Sequence, residues 1–117
     1  MRPLISNPLA QTLLAAALSA ASLAALAFPN KPVTIVVPYA AGGSTDVLAR
    51  VLAEAMTRDL GQQVIVENLG GAGGTIGTSR VTRAQADGHT LLLHNMGIAT
   101  APALYSKLAF DVRRDLE

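Results

Sequence analysis

Ser44, His94 and Asp46 are the residue types of a nucleophilic triad, in which an imidazole accepts a hydroxyl proton and a carboxylate holds the imidazole in place. Gly43-Ser44-Thr45 lacks the flanking pattern of a nucleophile elbow, so this reading rests on residue types alone. His94 has no second His or acidic residue at metal-ligand spacing, which leaves no metal site to argue for. The glycine-rich stretch Leu69–Gly77 invites comparison with nucleotide loops. Gly71 and Gly73 supply the first glycines of a dinucleotide fingerprint, but the sixth position is Ile76 and Gly77 comes one residue late. Neither glycine loop contains the Lys that a P-loop needs. What remains is anion binding by neutral groups. In Pro38-Tyr39-Ala40-Ala41-Gly42-Gly43-Ser44-Thr45-Asp46 a glycine-containing turn opens a helix whose first amides lack intrahelical partners, and such amides accept a negative oxygen. A carboxylate at Asp46 would repel an anionic ligand unless turned back onto nearby amides, so its expected role is ordering the loop. A plainer reading makes Ser44, Thr45 or Asp46 the helix N-cap, and treats the second loop's glycines as a tight turn.

The elements that must carry these residues follow from periodicity. Val33–Val37 is a β-branched run that reads as a strand buried on both faces, and Pro38 ends it. A helix is expected near Thr45 to Leu60, with Leu48, Val51, Leu52, Ala55 and Met56 as its buried stripe and Gly61 as a left-handed stop. A second strand at Gln63–Asn68 leads through the second glycine loop into a helix reaching about Gln85. Asp87-Gly88 makes a turn, with His89 as a surface turn residue. Thr90–Leu93 is a third short strand, His94–Gly97 its exit loop, and Thr100 to Tyr105 a possible short helix. Glu67 and the helix charges read as solvated. Alternating strands and helices imply an α/β fold with a parallel sheet and flanking helices. In such sheets ligands bind outside the carboxyl ends of the strands, where both glycine loops and His94–Gly97 would lie.

Composition limits what this fold can serve. The chain has 117 residues, half of them apolar, with two Phe, two Tyr and no Trp, so Leu, Val, Ile and Ala must build the core of one small domain. A net charge of +1, spread over dispersed residues, offers no basic track for nucleic acid. The absence of cysteine excludes disulfides and thiolate metal sites. At the N-terminus, Arg2 precedes an uncharged Ala/Leu-rich stretch from Leu9 to Leu26, and Ala25-Leu26-Ala27 has the small-x-small pattern of a signal cleavage site. Residues 1–27 are therefore expected to be a secretory signal peptide cut before Phe28, leaving residues 28–117 as the exported chain, without stable membrane insertion.

Taken in order, Lys31-Pro32, Val37-Pro38-Tyr39-Ala40-Ala41-Gly42-Gly43-Ser44-Thr45-Asp46, Ala49-Arg50, Leu60-Gly61-Gln62, Val66-Glu67-Asn68, Gly71-Ala72-Gly73-Gly74-Thr75-Ile76-Gly77, Asp87-Gly88-His89-Thr90-Leu91-Leu92, Leu104-Tyr105-Ser106-Lys107-Leu108 and Phe110-Asp111 resemble the periplasmic solute receptors of tripartite tricarboxylate transporters, the Bug family. The departures are small: Tyr39 stands where Phe is usual, His89 where Tyr is usual, and Ala86 where Pro often precedes the Asp-Gly turn.

The resemblance implies a two-lobed, Venus-flytrap protein that captures a small organic acid between its lobes and delivers it to membrane transporter subunits, with no cofactor, no metal and no catalytic residues. Position by position, it implies a first ligand-facing wall at Tyr39, Ala40, Ala41, Gly42, Gly43, Ser44, Thr45 and Asp46. Gly73, Gly74 and Thr75 would form a second, and His94 with Asn95 a third. Family members continue into a second lobe, so the sequence is expected to be the N-terminal part of the first lobe, marginal in stability and binding weakly or not at all by itself. The alternative is a small α/β hydrolase-like enzyme using Ser44 or His94 on a carboxylate substrate.

Overall fold

The computed structural model describes residues 28–116, and the expected signal segment, residues 1–27, lies outside the described residues. From Lys31 onward the chain is organised on a parallel three-stranded sheet, in the order β2-β1-β3. The central strand β1 is Val33–Val37, the expected β-branched run, and Val33, Ile35, Val36 and Val37 are essentially inaccessible to solvent. Branched side chains on both faces suit a strand covered on both sides. The second strand, β2, is Val64–Asn68, aligned so that Val37 lies opposite Asn68. The third, β3, is Thr90–Leu92, with Leu92 opposite Val36. Two further bonds, Leu69 N–H to Val37 O at 2.8 Å and Leu93 N–H to Val36 O at 3.0 Å, extend the ladder on either side. All three carboxyl ends thus reach the same edge.

Helix α1 spans Ser44–Leu60 and stops where expected, at Gly61 (φ 66°), whose N–H donates to Thr57 O. Its buried face differs from the expected one. Asp46, Ala49 and Ala53 are buried, whereas Leu48, Val51 and Leu52 are exposed along with Val47. Small side chains let the helix lie close against β1 and β2, and Ala49 and Ala53 join Val33, Ile35, Val37 and Val64 in the core. Met56 of the expected stripe does pack against this core, but hydrophobicity alone ranks Leu and Val above Ala, which is why the sequence pattern placed Leu48, Val51 and Leu52 there instead of Ala49 and Ala53.

The second glycine loop ends in a short 3₁₀ turn at Ala72–Gly74, followed by helix α2 at Thr75–Thr82. This helix is shorter than expected. Arg83 closes it, its guanidinium donating from Nε to Ser79 O at 3.0 Å. His89 is buried rather than on the surface; its N–H donates to Asp87 Oδ1, and Asp87 pairs with Lys31 at 2.7 Å. Helix α3, Gly97–Leu104, begins earlier than expected and packs against the 3₁₀ turn. Among the described residues, no helix is long and apolar enough to cross a membrane.

Candidate functional site

Because the strands end together, the loops that follow them meet. The first loop runs from Pro38 to Gly43, and its tight point is Gly42, whose φ of 87° lies in the left-handed region that favours glycine. Gly43 is extended (φ −75°, ψ 168°) and is itself the N-cap of α1, without a side-chain cap, so neither Ser44, Thr45 nor Asp46 takes that role. Ala40, Ala41, Gly42, Gly43 and Ser44 are exposed and Thr45 half-buried. The positive end of the helix dipole therefore opens at an accessible loop.

Asp46 is where the expected ordering role is most visible. Only 2% exposed, it accepts from Gly42 N–H at 2.8 Å, Arg50 Nε at 3.0 Å and Asn68 Nδ2 at 2.9 Å. The hydrogen bonds from Arg50, then Gly42, then Asn68 hold its carboxyl down to about 2. The charge is turned inward and neutralised, so the exposed loop presents neutral groups. Asn68 also donates to Tyr39 O at 3.3 Å and accepts from Arg50 Nη2 at the same distance, joining the end of β2 to the first loop. Neither Asn68 nor Arg50 was among the expected site residues. Arg50 follows Asp46 by four positions on a helix, a spacing that could have signalled the pair.

In the second loop Gly73 (φ 63°) packs under the Tyr105 hydroxyl, and Gly74 (φ 92°) is buried against the His94 ring and Pro38. Gly74 N–H donates to Gly71 O, and the Thr75 hydroxyl donates to Ala72 O, so the Thr75 side chain is used in holding the turn. At Gly77 an added Cβ would lie 2.7 Å from Leu69 O and 2.8 Å from Pro38 Cβ, which fixes how closely α2 approaches the first loop.

The third loop completes the cluster. Tyr39 donates its hydroxyl proton to Asn95 Oδ1 at 2.6 Å, and Gly97 N–H donates to the same oxygen at 2.8 Å. Burial raises the Tyr39 phenol above its ordinary value, against the opposing hydrogen bonds to Asn95, so it stays a donor at neutral pH. The Tyr39 and His94 rings meet edge to face at 5.2 Å, and His94 Nδ1 lies 3.1 Å from Tyr39 Oη and 2.9 Å from Asn95 O. The expected residues of all three walls thus share one edge. The paper triad does not assemble: Asp46 is engaged by Gly42, Arg50 and Asn68, and His94 by Tyr39 and Asn95.

Comparison with known proteins places this arrangement. Residues 48–117 match the model of the tripartite tricarboxylate transporter family receptor. Among solved structures, the chain is similar to the periplasmic binding protein BugD, with 53% identity and a TM-score of 0.72 over 75% of this chain and 29% of that one. It is also similar to MatC from Rhodopseudomonas palustris with bound malate, at 45% identity and a TM-score of 0.68 over 75% and 30%. A third, R. palustris Rpa4515 with adipate, gives 36% identity and a TM-score of 0.70 over 74% and 29%. The chain spans 25% to 34% of the length of the curated relatives it matches. With the family model covering more than half of the sequence and the fold shared with a solved periplasmic binding protein at 53% identity, this chain belongs to the receptor family of the tripartite tricarboxylate transporters.

Proposed function

We propose that this chain supplies one carboxylate-facing wall of a periplasmic receptor that captures a small organic acid and passes it to membrane transporter subunits. The observation that carries the reading is the inward turn of Asp46. With that carboxylate bonded to Gly42, Arg50 and Asn68, the loop from Tyr39 to Thr45 offers an anion neutral backbone and hydroxyl groups instead of a like charge. Gly73, Gly74, Thr75, His94 and Asn95 flank it on the same edge. Neutral donors suit a receptor that must release what it binds. Two relatives hold malate and adipate, which supports a dicarboxylate as the class to test.

Residues 28–117 taken by themselves present one wall, and one wall alone gives a weak site. The fold resembles that of solved receptors over less than a third of their length, and much of the closed-state contact would come from elsewhere. Calorimetry of residues 28–117 against dicarboxylates should give dissociation constants of about 1 mM or weaker, near 4 kcal/mol of binding free energy. Micromolar binding would contradict the one-wall reading. The absence of any binding at tens of millimolar ligand would contradict the carboxylate site itself.

A further inference from the structure

The hydrogen bonds around His94 determine which of its ring nitrogens carries the proton. Asn95 O is a carbonyl and can only accept, and it lies 2.9 Å from Nδ1. The one proton of the Tyr39 hydroxyl goes to Asn95 Oδ1 at 2.6 Å, and Oδ1 is identified as the oxygen because Gly97 N–H also donates to it. Tyr39 Oη therefore turns a lone pair toward Nδ1 at 3.1 Å. Any arrangement without a proton on Nδ1 would set acceptor against acceptor at Asn95 O. Nδ1 must be the donor, so the neutral ring has a bare acceptor at Nε2.

That acceptor sits at the second wall. A Cβ at position 74 would come within 2.7 Å of Nε2, so only glycine lets the ring edge lie this close to the turn, and Nε2 itself is not fully buried. The ring is half-buried and its neighbours across the contact, Tyr39, Asn95, Gly74 and Gly97, carry no formal charge. A fixed acceptor does nothing for a carboxylate oxygen. It does fit a hydroxyl hydrogen.

We infer that His94 Nε2 accepts a hydrogen bond from a hydroxyl group on the ligand, making this site selective for hydroxy-substituted carboxylates over their deoxy counterparts. The inference rests on the carboxylate reading above. A site built to hydrogen-bond a hydroxyl discriminates against the analogue that leaves its polar group unpaired.

Malate and succinate differ by that one hydroxyl, and the 117-residue chain labelled with 15N at histidine can be titrated with each by NMR. In the free protein His94 should show the Nδ1–H form. Malate should bind about fivefold to tenfold more tightly than succinate, within the range of one ordinary hydrogen bond. The Nε2 resonance should move with malate but not with succinate, and the ring of buried His89 should not respond to either. His94→Phe should bring the two ligands within about twofold, and His94→Gln, which restores an oxygen acceptor, should recover part of the preference. Equal affinities in the unaltered chain, a free protein in the Nε2–H form, or succinate binding that strengthens through His94 as pH falls would each overturn the inference. In those cases the carboxylate reading would stand. If neither acid binds, both readings fail together.

Discussion

Asp46 does two things at once: it neutralises itself and it sets the shape of the loop that begins the site. Its depressed pKa gives a pH signature with a definite sign. Because the folded carboxyl titrates near 2 and an unfolded Asp near 3.9, its contribution to stability is complete above about pH 4 and lost as pH falls toward 2. Urea unfolding followed at several pH values should show this loss, and Asp46→Asn should remove that part of the acid dependence. A second residue-scale prediction concerns glycine. Gly74→Ala combines a φ of 92° with a Cβ 2.7 Å from His94 Nε2, and should cost about 1–3 kcal/mol in chemical unfolding. Gly43→Ala, extended and only in ordinary contact with Ala40 O at 3.5 Å, should lose only the N-cap preference for glycine over alanine, about 1 kcal/mol or less. The two loops thus differ in how strictly each glycine is required. At this scale the sequence was legible for Asp46, since a carboxylate two residues inside a helix start is readily turned back onto the amides and cations around it. The contacts of Tyr39 with His94 and Asn95, 55 and 56 positions away, depend on strand alignment and carry no local signal.

Among the elements, β1 was readable because a run of Val and Ile after a Pro-rich entry has one stable place, the middle of a sheet. Helix α1 was readable in its limits but not in its face. Alanines at 49 and 53 contribute little to a hydrophobic pattern, yet they allow the close approach that buries them against β1 and β2. This makes a sharp mutational contrast. Ala53→Leu should overpack the contact and cost about 1–3 kcal/mol. Val51→Ser, at a position the sequence pattern assigned to the core, should change stability by less than about 0.5 kcal/mol in the same unfolding assay. The early start of α3 has a similar origin. Asn95 Oδ1 accepts from Gly97 N–H and starts the helix near Gly97, a side-chain effect that apolar spacing does not report.

For the whole molecule, the exposed stripe of Val47, Leu48, Val51 and Leu52 gives one face of α1 an apolar surface. Such a face should bind an apolar fluorescent dye and promote association as concentration rises, and Leu48→Glu with Val51→Glu should reduce both, as followed by fluorescence and sedimentation. In the proposed function, the edge formed by the ends of β1, β2 and β3 receives the carboxylate. A 1H–15N correlation map of the uniformly labelled chain, titrated with malate, tests it most directly. Amide shifts should concentrate in residues 39–46, 73–75 and 94–95 and saturate in the millimolar range. Shifts centred on the exposed face of α1 or at the opposite ends of the strands, with the three loops unmoved, would contradict it.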